Sequence, residues 1–243
     1  MRLGFTVVSI DESRAESRRA IRERMSFVSE VTGIDFVDGR DAAKLGSYLR
    51  GYGETSGDLY EGELGVWFSQ MNCWRYLAGS DLDALIVLED DAVVDMAIER
   101  ALGTFMGNVP ADWDFISLHV PEDQKQDYFY ARTFRDDGTW YLADPRGHTL
   151  ESSPHHIGNL IMATAYQGYS IVAMVYSAAG ARKLLRLAGA AIRDPVDCFI
   201  FREHHRGILR GYAPKPYIRD CVTHKEHGTI ARATRRHRDR APG

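Results

Sequence analysis

Ala84-Leu85-Ile86-Val87-Leu88, followed at once by Glu89-Asp90-Asp91, is the stretch on which the reading of this chain turns. Five consecutive apolar residues without polar alternation are typical of a strand buried on both faces, as in a parallel sheet covered by helices. Three acids at its end break the pattern abruptly. In open parallel sheets ligands bind outside the carboxyl ends of the strands, so these carboxylates are expected to line a cleft. Crowded together they repel one another, and a cation or a proton has to compensate. Hard oxygen donors favour Mg²⁺ or Mn²⁺, which take one or two protein carboxylates and complete their shells with phosphate and water. A nucleoside-diphosphate leaving group calls for such an ion, which stabilises charge on the departing phosphate. The plainer alternative is that the acids only cap the next segment and favour its first turn.

Outward from this point, residues 3–10 read as a buried first strand. Residues 12–30 read as a surface helix, with Ile21, Met25 and Val28 at helical spacing. Residues 34–37 read as a second strand ended by Asp38-Gly39, and β–α–β order opens a parallel sheet. Residues 41–62 suggest a loop or broken helix, and 63–78 a helix stopped by Gly79-Ser80-Asp81. Beyond the acids, a helix is expected at 98–105 and a central strand at 114–118. Residues 122–157, polar and aromatic, suggest loops or a β-ribbon flap. A strand at 170–176, helices at 177–191 and 196–206, and an extended piece at 211–218 complete the pattern. The expectation is one domain over 1–230 and a disordered Arg-rich tail over 231–243.

A chain of 243 residues with 44% hydrophobic residues has enough apolar mass for one such α/β domain. A net charge of -4 gives no general reason to expect a nucleic-acid or membrane partner for the molecule as a whole. Cys73, Cys198 and Cys221 are odd in number and widely spaced, which argues against a disulfide framework or a cysteine zinc site. The N-terminus lacks the apolar core of a signal peptide, and residues 157–179 are too polar for a membrane span. A cytoplasmic protein is expected.

The order of motifs resembles glycosyltransferase family 25, which includes lipooligosaccharide and collagen galactosyltransferases. Val7-Val8-Ser9-Ile10 with Arg14 and Arg18 is similar to the family's opening strand and its basic follow-on. Phe36-Val37-Asp38-Gly39 is similar to its A-V-D-G turn. Gly62-Glu63-Leu64-Gly65-Val66-Trp67-Phe68-Ser69-Gln70 resembles its G-E-x-G-x-x-x-S-H helix start, with Gln70 in place of the usual His. Leu88-Glu89-Asp90-Asp91-Ala92 matches its L-E-D-D-A signature. Tyr176-Ser177, Gly180-Ala181-Arg182-Lys183-Leu184-Leu185 and Pro195-Val196-Asp197 continue the likeness in order.

The resemblance implies a GT-A-like nucleotide-sandwich fold, with a mostly parallel central sheet flanked by helices. It also implies inverting transfer of galactose or another hexose from a nucleotide donor, a UDP-sugar being the first choice. Asp91 would then be the principal metal ligand, with Asp90 assisting. Glu89, Asp90, Ser9, Arg14, Ser69 and Gln70 would lie on the donor side. The acceptor could be a glycan, a protein or a modified nucleic-acid base.

Other candidates each carry a plainer alternative. His224, in His224-Lys225-Glu226-His227, could complete the metal shell, with His227 behind it, or lie in a solvated loop. Inverting transfer needs a general base. Asp197 is the first choice, with Asp194 and Asp114 weaker; the alternative for Asp197 is an acid favoured at a helix N-terminus. His119 ends a strand and could line the cleft, whereas His155-His156 reads as loop. Trp67 and Trp74 share a helix face and read as core. The tail arginines 232, 235, 236, 238 and 240 could make weak anionic contacts or serve solubility. Two competing readings are a Mg-dependent phosphotransferase or phosphatase, and a non-catalytic relative that binds nucleic acid through the tail.

Overall fold

The computed structural model describes residues 1–52, 54–55, 59–107, 109–119, 132–134, 140–143, 149–150, 160–162, 171–189, 191–214 and 222–224. Among them the strands are β1 (Leu3–Val8), β2 (Ser29–Glu30), β3 (Glu54–Thr55), β4 (Ala84–Glu89), β5 (Ala92–Val94), β6 (Phe115–Ser117), β7 (Arg132–Phe134), β8 (Trp140–Ala143), β9 (Thr149–Leu150), β10 (Leu160–Met162), β11 (Ala173–Ser177), β12 (Ala191–Ile192), β13 (Gly211–Pro214) and β14 (Val222–His224). The described residues form a seven-stranded sheet in the order β10-β13-β6-β11-β4-β1-β2. β4 pairs in parallel with β1, from Leu3↔Ala84 to Val8↔Glu89. On its other side it pairs antiparallel with β11. β1, β2, β4, β6 and β13 run one way, and β11 and β10 run against them. The sheet is therefore mostly parallel and flanked by helices, consistent with a GT-A-like fold.

Burial on both faces explains the unbroken apolar run. Leu85 and Val87 join a core with Trp67, Phe68, Trp74 and Tyr176, under the helices Glu61–Gly79, Ala178–Ala188 and Val196–His205. Ala84, Ile86 and Leu88 join the opposite core with Ile21, Met25, Ile98 and Leu102, under Ala15–Arg24 and Ile98–Met106. Trp67 and Trp74 are at most 1% exposed and pack edge to face, confirming them as core. Trp67 also donates through Nε1 to the Asp194 carbonyl at 2.6 Å, tying the long helix to the start of Val196–His205.

Local chemistry sets the boundaries. Glu63 accepts the Tyr60 N–H at 2.9 Å and places acid in the first turn of Glu61–Gly79, where the helix dipole favours it. Ser177 accepts the Gly180 N–H at 2.9 Å and starts Ala178–Ala188 as β11 ends.

Three expectations change. Residues 34–37 are not a strand; the second strand is Ser29–Glu30, and Val31 still donates to the Phe5 carbonyl at 2.7 Å. The backbone at 35–37 bonds instead to side chains: Asn72 Nδ2 donates to the Asp35 carbonyl, Lys44 Nζ donates to that of Phe36, and Ser69 Oγ accepts the Val37 N–H. Helices thus take the bonds that a neighbouring strand would have made. Within 41–62 a true helix, Ala42–Leu49, forms because Asp41 accepts the Lys44 N–H at 3.0 Å. The helix expected over 12–30 is shorter, a 3₁₀ turn Glu12–Arg14 followed by Ala15–Arg24.

Within 122–157, β7, β8 and β9 form a three-stranded antiparallel sheet. The rest of that segment and the tail 231–243 lie outside the described residues. Among the described residues no helix is long and apolar enough to cross a membrane.

Candidate active site

β1, β4 and β6 run in one direction, so their carboxyl ends share an edge of the sheet. Glu89 is the last residue of β4, and Ser9, Asp90-Asp91 and His119 follow the strand ends. His119 is 9% exposed there. Asp114 precedes β6 and so lies at the opposite edge, where Lys183 Nζ and the Arg210 N–H donate to its Oδ2 at 2.5 and 2.7 Å. Those bonds give it a structural task remote from the acids.

The three acids do not all face one another. Strand side chains alternate, so Glu89 follows Leu85 and Val87 onto the face covered by Glu61–Gly79 and Val196–His205. Its charge interacts there with Asp197 as well as with Asp91 and Asp90. Burial is the largest cause pushing the Glu89 carboxyl up to about 8, and the neighbouring acids add to it. Asp197 lies in the first turn of Val196–His205 and is also raised, first by burial, against the lowering effect of the Cys198 N–H at 2.8 Å. Glu63 raises it further.

Asp90 and Asp91 are organised by the chain that follows β1. Ser9 Oγ donates to Asp90 Oδ2 at 2.5 Å, and Arg18 Nη1 donates to Ser9 Oγ and to the Asp11 carbonyl, both at 2.6 Å. Arg14 Nη1 lies 3.2 Å from Asp90 Oδ1 and 3.7 Å from Asp91 Oδ2. Asp90 is raised, chiefly by burial, although Ser9 and Arg14 pull the other way.

β14 pairs antiparallel with β5, and its register sets His224 opposite Ala92. The backbone of His224 therefore stands next to the residue that follows Asp91. His227 and His155-His156 lie outside the described residues.

The remaining candidates are placed as follows. Ser69 is 1% exposed, and its hydroxyl donates to the Gly65 carbonyl at 2.8 Å while accepting the Val37 N–H at 2.9 Å. It fixes the 35–37 backbone to the long helix. Gln70 is fully buried and its Oε1 accepts from Tyr176 Oη at 3.1 Å. Asp194 pairs with Arg202 on the next helix. Ser9, Arg14, Glu89, Asp90, Asp91 and Asp197 are thus brought together, whereas the Ser69 hydroxyl is engaged elsewhere.

Sequence reasoning gave no role to Glu63, whose capping position in the quoted G-E-x-G element was the available signal. Arg18 was quoted only as a basic follow-on, since nothing in the sequence indicates its bond to Ser9.

Among the described residues no group of three His, Cys, Asp or Glu side chains is gathered to hold a metal ion. Two oxygen-donor carboxylates remain at one edge, which suits an ion of the Mg²⁺ or Mn²⁺ kind that fills its shell from phosphate and water. The donor chemistry therefore fits such an ion.

The family model described as "Glycosyltransferase family 25 (LPS biosynthesis protein)" matches residues 7–200. Procollagen galactosyltransferase 1 of Danio rerio is 28% identical over 213 residues, which is 82% of this chain and 31% of that protein. The chain thus spans about a third of the length of that relative. The family match covers Ser9, Arg14, the acidic edge and Asp197 together, and the chain belongs to glycosyltransferase family 25.

Proposed function

We propose that the protein transfers a hexose, with galactose as the first candidate, from a nucleoside-diphosphate donor to a hydroxyl group, with inversion and the help of Mn²⁺ or Mg²⁺. The observation that carries this reading is the gathering of carboxylates at one sheet edge. Asp90 and Asp91 lie beside Arg14 and Ser9, and Glu89 interacts with Asp91, Asp197 and Asp90 in turn. Such a cluster can serve both partners of this reaction, with Asp90 and Asp91 for the leaving diphosphate and Asp197 for the attacking hydroxyl.

Asp91 would hold the ion, with Asp90 beside it and His224 as a third ligand. When bound, such an ion stabilises the charge that builds on the departing diphosphate. Arg14 supplies positive charge to the same end of the donor. Ser9 and Arg18 hold Asp90 in position. Asp197 takes the proton of the acceptor hydroxyl as the oxygen attacks the anomeric carbon. Its raised pKa favours that role by making the carboxylate a better base. Glu89, close enough to feel the charge of Asp91, Asp197 and Asp90, would orient the sugar through its hydroxyls.

The name of the Danio rerio relative supports galactose as the sugar and a protein hydroxyl as one acceptor class; a glycan hydroxyl is the other. Cys73 and Cys198 are free thiols, in keeping with a reducing compartment such as the cytoplasm. A thermal-shift panel of nucleotide sugars with Mn²⁺ tests the reading, because a donor that binds the native state raises Tm by mass action. Stabilisation by a UDP-hexose only when Mn²⁺ is present is expected. Equal stabilisation in EDTA would contradict the metal-assisted form.

A further inference from the structure

Arg14 bridges the acid pair. The same Nη1 atom faces Asp90 Oδ1 at 3.2 Å and Asp91 Oδ2 at 3.7 Å. The backbone fixes where this side chain starts: Asp11 accepts the Ser13 N–H through its carboxylate at 2.9 Å and the Arg14 N–H through its carbonyl at 3.1 Å. The Arg14, Asp90 and Asp91 side chains are 18%, 15% and 9% exposed, so their attraction is screened less than that of a surface pair.

Resting on the metal-assisted reading above, we propose that Arg14 is the resident counter-cation of Asp90 and Asp91, and that a divalent ion binds by displacing it onto the donor's diphosphate. Two cations against one carboxylate pair repel each other, so the guanidinium must withdraw when an ion arrives. Its planar fork suits phosphate oxygens, which offer a bidentate partner in exchange. Ion and diphosphate then help one another to bind, because the diphosphate compensates Arg14 for the contacts it loses. The ion without nucleotide binds weakly, since nothing replaces those contacts.

Mn²⁺ titrated into the full chain, with and without UDP and read by the EPR signal of unbound Mn²⁺, tests this. Arg14→Gln is expected to bind Mn²⁺ without UDP about fivefold or more tighter than the parent, and to lose most of the coupling to UDP. Its metal-free Tm falls because the acids lose the positive charge of Arg14. Arg14→Lys keeps the charge but not the fork, so it binds Mn²⁺ like the parent yet shows weaker coupling to UDP. This second variant also serves if Arg14→Gln fails to fold.

Unchanged or weaker Mn²⁺ binding in Arg14→Gln, or parent-like coupling in Arg14→Lys, overturns the displacement. Asp91→Asn separates the two levels of the argument. If it loses Mn²⁺ while Arg14→Gln binds as the parent does, the metal reading stands and the displacement fails. If the parent binds no Mn²⁺, both fall.

Discussion

His224 stands directly opposite Ala92 in the β14–β5 pair, which sets its backbone beside the residue that follows Asp91. A segment more than a hundred residues away in sequence is thereby returned to the acidic edge by a short antiparallel register. On the proposed metal-assisted reading, this register is what lets His224 serve as a third ligand. His224→Ala is expected to weaken Mn²⁺ binding at least about tenfold, measured by titration at fixed UDP concentration. Parent-like affinity would remove His224 from the shell.

Asp197 is expected to act on the acceptor and not on the donor. Asp197→Asn should lower kcat by about 10²- to 10⁴-fold while donor affinity stays near that of the parent. The carboxyl is raised by burial, so it stays protonated, and useless as a base, to a higher pH than an ordinary aspartate. The acid limb of the kcat profile should accordingly lie above the usual carboxylate range. An acid limb near pH 4, or full transfer activity in the variant, would point to another base.

Glu89 has a stability consequence in metal-free protein. Its folded-state pKa, about 8, lies above the ordinary 4.5, so folding favours the protonated form. That contribution is fully present below pH 4.5 and is lost as pH rises through about 8. Glu89→Gln should therefore match the parent near pH 4 and exceed it at pH 9 in EDTA. The gain is roughly 1–3 kcal/mol, less than the whole shift implies because the side chain reaches solvent. Chemical denaturation at the two pH values measures it, and a variant less stable than the parent at pH 9 would contradict the crowding.

Gly65 is where the long helix meets the 37–39 backbone. A Cβ there would lie 2.6 Å from the Gly39 nitrogen and 2.7 Å from the Val37 carbonyl oxygen. Gly65→Ala should cost about 1–3 kcal/mol in denaturant melts, because backbone on the other side cannot yield cheaply. A change within 0.5 kcal/mol would mean that the two segments separate freely.

What could be read in the sequence was local. β4 and its acids were legible because a run buried on both faces carries its own signature, and the switch to three carboxylates is abrupt. The motif order pointed to the family for the same reason. The direction of Glu89 was only half legible: alternation pairs it with Leu85 and Val87, but the sequence does not say which helices cover that face. Ser69 was assigned to the donor by likeness, whereas the structure gives its hydroxyl to the Val37 N–H and the Gly65 carbonyl. Residues 34–37 were apolar enough for a strand, yet Asn72, Lys44 and Ser69 claim their backbone groups, and such long-range competition leaves no periodic trace. The bonds from Arg18 to Ser9 and from Ser9 to Asp90 were hidden for the same reason.

Mn²⁺-dependent turnover of UDP-galactose by the parent and by Asp91→Asn tests the central assignment most directly. The parent should release UDP only with the divalent ion present, and the variant should lose at least about a hundredfold while its melting curve stays cooperative. Undiminished turnover in a folded Asp91→Asn protein would contradict the account.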